Sequence, residues 1–179
     1  MVVNIRIGIT GLPRVGKTQA LIKVINLLEE ADVTVGGMVT EAIIEKGERV
    51  GFYVMDWVTK ERDVMAHVDI ESKVHVGGYG VDIDAIERIG VTAIERAIEE
   101  TDVIVIDEVG KMEVEAPSFS DTVKRALESD KPIMLTLHKK SRNPLLQDIR
   151  RRDDVRILEV TGLNKDFLPY KILRLLEGV

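Results

Sequence analysis

Apolar positions along the chain follow two rhythms. Residues 5–10, 103–106, 132–137 and 155–160 are short runs, nearly continuous in apolar and β-branched residues, as expected of strands buried on both faces. Between them, apolar residues recur at helical spacing. Leu21, Val24, Ile25 and Leu28 form one face of a predicted helix over 17–31. Further helices are predicted over 83–100, capped by Asp82 or Asp84 and interrupted at Gly90, then from Ser118 or Ser120 to Glu128, over 144–151 and over 169–177. Helices alternating with buried strands predict an α/β three-layer sandwich around a mainly parallel sheet.

The middle of the chain has a different pattern. Residues 34–40 read as a strand, and 43–55 as two strands joined by a turn at Lys46-Gly47. Another short strand is expected near 64–67, and 74–80 is a glycine-rich loop or short strand. The parallel sheet is therefore expected to carry an antiparallel hairpin addition. No internal repeat, low-complexity tract or linker divides the chain, so one domain over 1–179 is expected.

The first strand runs into Gly11-Leu12-Pro13-Arg14-Val15-Gly16-Lys17-Thr18, and Gln19 continues into the helix. This is GxxxxGKT, the Walker A pattern, in the strand–loop–helix context that it requires. Gly11 and Gly16 let the backbone curl so that its N–H groups cradle phosphate oxygens, and the positive end of the helix faces the same anion. Lys17 reaches the terminal phosphates, and the Thr18 hydroxyl is a ligand for Mg²⁺.

The apolar run at 103–106 ends in Asp107-Glu108, a Walker B pattern. Asp107 is expected beside Thr18 at the metal, and Glu108 opposite the γ-phosphate, where a carboxylate orients and deprotonates water. Asp107-Glu108-Val109-Gly110 also fits the DxxG of small GTPases. That reading needs NKxD, and Asn164-Lys165-Asp166-Phe167 puts the acid one place too early, which disfavours a guanine-specific switch. Thr136 and His138, at the end of the strand after Walker B, are candidate sensors of the γ-phosphate. Trp57, Phe52 and Tyr53 are read as hairpin core, and the methionines as packing.

Composition narrows the field. There is no cysteine, which excludes a disulfide scaffold, thiolate metal sites and thiol catalysis. A net charge of −6 disfavours nucleic-acid binding through a broadly basic surface. Residues 139–156 nevertheless hold seven basic against three acidic side chains, a local segment that could supply an arginine finger or a partner contact. With no signal peptide and no apolar run of membrane-spanning length, a cytoplasmic monomer is expected, without membrane association. Two glutamines and four asparagines beside abundant Glu, Lys and Arg fit a heat-adapted source.

With these segments laid out, the chain resembles the thermophile-type nucleoside-triphosphatase family, whose mammalian member is the cancer-related nucleoside-triphosphatase. The likeness runs nearly end to end. It rests on the Walker A stretch, Gly37-Met38-Val39-Thr40-Glu41, Arg49-Val50-Gly51-Phe52, Val76-Gly77-Gly78-Tyr79, Asp107-Glu108-Val109-Gly110-Lys111-Met112-Glu113 and Thr161-Gly162-Leu163-Asn164-Lys165-Asp166. The Asp107 to Glu113 stretch is the most specific of these. The resemblance implies a Mg²⁺-dependent P-loop enzyme with a RecA-like sheet that hydrolyses ATP, GTP and other nucleoside triphosphates, slowly and with little base preference. It further implies Glu108 as catalytic acid/base, Lys111 as a phosphate-side contact and Asn164 near the base or ribose. Two positions depart from the family pattern: Arg14 stands where glycine is usual, and Lys165 where arginine is usual. Two other readings remain at this stage. One is a P-loop kinase acting on a nucleotide, RNA end or small molecule; the other is a nucleotide-dependent binding module.

Overall fold

The computed structural model describes all residues, Met1–Val179. Strands β1 (Arg6–Gly11), β2 (Val35–Glu45), β3 (Glu48–Asp56), β4 (Arg62–His67), β5 (His75–Val76), β6 (Tyr79–Val81), β7 (Val103–Val109), β8 (Ile133–His138) and β9 (Val155–Glu159) join in one sheet. Its order is β5-β6-β4-β3-β2-β7-β8-β1-β9. β2, β7, β8, β1 and β9 run parallel, while β3, β4, β6 and β5 extend the β2 side antiparallel. The sheet is thus the expected mainly parallel one with a larger antiparallel addition. β8 lies between the Walker A strand β1 and the Walker B strand β7, the RecA-like order that the resemblance implies.

Six α-helices, α1 (Lys17–Glu30), α2 (Ile83–Ala85), α3 (Thr92–Glu100), α4 (Phe119–Glu128), α5 (Pro144–Arg151) and α6 (Leu168–Glu177), accompany the sheet. Alternate residues of the central strands feed two separate cores. Val103, Val105 and Met134 pack with Leu21, Val24 and Ile25 of α1 and Ile172 and Leu176 of α6. Ile104, Ile106, Ile133 and Leu135 pack on the other face with Ile94 of α3, Val123 of α4 and Leu146 of α5. That division makes three layers, because a strand covered on both sides must be apolar at every position.

Three local expectations change. The pieces expected at 34–40 and beyond 43 are a single eleven-residue strand, β2, which pairs with β7 at its start and with β3 further along. Its entry needs Gly37, whose φ is 128° and whose added Cβ would lie 1.9 Å from the Val105 carbonyl oxygen. The helix over 83–100 is not broken at Gly90. Residues Ile86–Val91 widen into a π-helical stretch between α2 and α3, with Asp82 rather than Asp84 as the cap. Trp57 leaves the hairpin and packs towards α1, donating from Nε1 to Glu29 at 2.7 Å.

The 139–156 segment is largely committed within the fold. Lys139 pairs with Glu159, and Arg150 donates to the Ser141, His138 and Lys139 carbonyls. Arg152 bonds Asp154 and Glu128. No helix is long and apolar enough to cross a membrane.

Candidate active site

All five parallel strands point their C-terminal ends at the same edge of the sheet, where ligands bind in such folds. Gly11 closes β1 beside His138 at the end of β8, and Asp107-Glu108 sits near the end of β7. The loop from Gly11 then bends into α1. Gly16 caps α1 with φ 110°, a left-handed conformation that glycine adopts without strain. No side chain caps this helix, and its first turn carries no acid. Its leading N–H groups therefore face outward as an anion site. Arg14 also has positive φ, 64°, a region that glycine enters freely but where a side chain costs about 1 kcal/mol.

Asp107 is buried and gathers three hydroxyls. Thr18 Oγ1 donates to both of its oxygens, at 2.9 and 3.1 Å, and Thr136 Oγ1 donates at 2.6 Å. The Thr40 amide and hydroxyl approach at 3.4 Å. Burial pushes the Asp107 carboxyl up to about 6, with the Thr136 bond opposing the rise. Lys17 Nζ donates to the Gly11 carbonyl at 3.1 Å and lies 3.3 Å from Glu108 Oε2. Burial also raises the Glu108 carboxyl, and the Lys17 charge beside it is the main opposing influence.

A cleft of about 880 Å³ opens over these groups, lined by Pro13, Arg14, Gly16, Lys17, Thr18 and Gln19 on one side and by Glu108, Lys111 and His138 on the other. Burial lowers the His138 pKa, followed by the charges of Lys111 and Lys17, so the ring faces the cleft neutral. A second cleft of about 560 Å³ adjoins it, sharing Arg14, Gly16 and Gln19 and bounded by Lys23, Lys165, Asp166, Pro169 and Tyr170. Of the remaining loop residues, Leu12 is half exposed and Val15 packs against the α1 core. Asn164 lies in the loop that borders the second cleft. Its amide donates to the Glu159 carbonyl at 2.8 Å and accepts from the Thr161 N–H at 2.8 Å, so both ends are used to hold that loop.

A family profile described as NTPase matches residues 6–173. The nucleoside-triphosphatase THEP1 of Thermofilum pendens is 43% identical over 167 residues, covering 93% of this chain and 92% of its own length. The crystal structure of THEP1 from Aquifex aeolicus superposes with a TM-score of 0.86 at 31% identity, over 97% of this chain and 99% of that one. The solution structure of a human cancer-related nucleoside triphosphatase does so with 0.81 at 29% identity, over 97% and 98%.

The chain belongs to the THEP1 nucleoside-triphosphatase family.

As a member of the THEP1 family it is a nucleoside-triphosphatase, a hydrolase of the P-loop class. The fold that the resemblance implied is present, and so is the pairing of Thr18 with Asp107 and of Lys17 with Glu108. Five contributors to this THEP1-type site were not singled out by residue chemistry alone. Thr40 arrives from β2 because that strand lies beside β7. Arg49, Phe52 and Tyr79 reach the cleft from the antiparallel strands, and Glu113 from the turn after β7. Phe52 is therefore cleft wall as well as hairpin packing. Glu113 is almost fully buried, and burial followed by the Glu108 charge raises its carboxyl well above the usual range. The two carboxylates bracket Gly110, where a Cβ would lie 2.8 Å from an oxygen of each. The signal for Glu113 was its place in the Asp107 to Glu113 stretch, but acids in a turn are normally solvated.

Three acids raised by burial in one site give a pH signature. A carboxyl whose folded pKa lies above its unfolded value contributes full stability below the unfolded pKa, near 4, and loses it as pH rises through the folded value, here about 6 for Asp107. The nucleotide-free Asp107→Asn variant should therefore gain on the parent by on the order of 2–3 kcal/mol between about pH 4.5 and 7.5. Parallel denaturation midpoints across that range would contradict a buried, poorly solvated Asp107.

Proposed function

We propose that the protein hydrolyses nucleoside triphosphates to the diphosphate and phosphate with Mg²⁺, and with little selection among bases. The observation that carries this reading is the Lys17–Glu108 pair at 3.3 Å at the mouth of the phosphate loop. It puts a cation for the phosphates and a base for the nucleophile on the same spot. In this reading the base and ribose lie in the smaller cleft against Tyr170 and Pro169, near the loop held by Asn164, and the triphosphate runs along Arg14, Gly16 and Gln19 towards Lys17. Loop N–H groups and Lys17 neutralise charge on the transferring phosphoryl group, Lys111 adds a further cation on that side, and Glu108 takes the proton from the attacking water.

The donor set suits Mg²⁺. Thr18 and Thr40 hydroxyls and the Asp107 carboxylate are hard oxygen donors held together. No cluster of three acidic, His or Cys side chains forms an all-protein cage. A small cation completed by water and phosphate oxygens fits that set, with Thr18 as ligand and Asp107 beside it. When bound it would supply charge neutralisation for the phosphates. A flat Tyr170 wall and flexible Lys23 and Lys165 side chains support base tolerance, since stacking on an aromatic ring accepts any base. A single 1–179 domain acting as a cytoplasmic monomer completes the reading.

The test is phosphate release from ATP, GTP, CTP, UTP and their deoxy forms, with Mg²⁺ and with EDTA. Turnover of all substrates within about one order of magnitude, abolished by EDTA, is expected; a single accepted base would reject the broad specificity, and EDTA-resistant turnover the metal.

A further inference from the structure

The larger cleft is far roomier than hydrolysis requires. A water occupies about 30 Å³, whereas the space over Lys17 and Glu108 is about 880 Å³ and matches the size that holds a drug-sized molecule, roughly 300–1,000 Å³. The nucleotide's own base has the adjoining 560 Å³ cleft. The larger cleft also extends from the phosphate loop towards β2, β3 and β6.

That far wall has its own chemistry. Phe52 and Tyr79 form an edge-to-face pair with ring centroids 5.5 Å apart. The Arg49 guanidinium stands 5.3 Å from the Phe52 ring centroid, and the Tyr79 hydroxyl donates to the Arg49 carbonyl at 3.2 Å. Arg49 Nε is buried with no hydrogen-bond partner, and it is the sole such buried side-chain atom in the protein. A buried guanidinium N–H left unpaired costs stability unless an acceptor is delivered to it. Met55 and Met65 complete the lining with soft, adaptable surface. A flat ring with acceptor atoms meets both the aromatic pair and the free N–H. Glu108, a carboxylate at the near end, meets a hydroxyl. A nucleoside carries all three features.

We propose that this end of the cleft is a second substrate site for a nucleoside, and that the enzyme transfers the γ-phosphoryl group to a sugar hydroxyl of that nucleoside. The proposal rests on the cradle of Lys17, Thr18 and Glu108 described above and replaces only the attacking water. Glu108 accepts the hydroxyl proton. The sugar oxygen forms a bond to the γ-phosphorus while the bond from that phosphorus to the β-bridging oxygen breaks, its electron pair leaving on the nucleoside diphosphate. The products are a nucleoside monophosphate and a nucleoside diphosphate, and no other reactant enters.

The experiment uses the full chain with Mg²⁺ and γ-labelled ATP, adding adenosine, guanosine, cytidine or uridine separately at millimolar concentration, and resolves the labelled products by chromatography. Label in a nucleoside monophosphate is the expected result. Phe52→Ala should then shift the ratio of labelled nucleoside monophosphate to labelled phosphate at least about tenfold towards phosphate, and Phe52→Tyr should restore it. Should Phe52→Ala lose its fold by circular dichroism, Tyr79→Leu serves the same comparison. Label in inorganic phosphate alone with every nucleoside would overturn the acceptor site and leave the hydrolase reading intact. An unchanged ratio in the aromatic variants would overturn the assigned wall. No loss of label from ATP under any condition would remove both readings.

Discussion

Glu108→Gln should lower phosphate release by about 10²–10⁴-fold, the range expected when a general base is removed, while nucleotide affinity stays within a few-fold of the parent. The substitution keeps the shape of the side chain and removes its ability to take a proton. Glu108 is raised by burial and held down chiefly by the Lys17 charge 3.3 Å away. In the amide variant Lys17 is freed from that ion pair and keeps its bond to the Gly11 carbonyl. Binding of an anionic triphosphate is therefore not weakened by the change, because one negative charge facing the γ-phosphate has gone. Single-turnover phosphate release beside a nucleotide titration separates the two effects. Retention of a third or more of the parental rate would show that proton transfer to Glu108 is not what limits hydrolysis.

Lys17→Ala should instead damage binding and turnover together, each by at least about tenfold. Lys17 stands between the β1 end and Glu108, and its ammonium is the one loop cation fixed on both sides by contacts within the protein. Truncation removes the charge meant for the terminal phosphates. It also leaves Glu108 buried without its principal cation, so the carboxyl rises further and holds its proton to higher pH. The residual activity of Lys17→Ala should accordingly peak at higher pH than that of the parent. Full activity with an unchanged pH profile would mean that the phosphates do not lie in this loop. Nucleotide titration together with a pH–rate profile provides the check.

Much of this arrangement was legible in advance because it is local. Gly16 at φ 110° and the uncapped start of α1 follow from a spacing of glycines before Lys17-Thr18, and a Walker A loop needs only its own strand and helix to form. Val103 to Ile106 announced a strand covered on both faces, and that strand is the one delivering Asp107. The antiparallel segment was harder. Its strands have mixed polarity, since one side packs and the other borders a cleft, so Phe52 read as hairpin packing when it also faces ligand space. Arg49 and Glu113 were marked only as members of stretches shared with a family, without a role of their own, because what distinguishes them is burial without a partner or beside a like charge. Asn164 was expected near the base or ribose; that both ends of its amide hold the loop beside the smaller cleft is visible only from its bonds to Thr161 and Glu159.

By itself the sequence determined the alternation of buried strands with amphipathic helices, the phosphate loop and the carboxylates near the end of β7. Periodicity and glycine spacing act over a few residues and need no distant partner. Only the tertiary structure decided that β8 would separate the two motif strands, that Thr40 and Thr136 would both close on Asp107, and that the antiparallel strands would build a far wall opposite Glu108. Those outcomes depend on strand order and on which polar groups are shut off from water. Both arise from packing between segments tens of residues apart, beyond the reach of any local pattern.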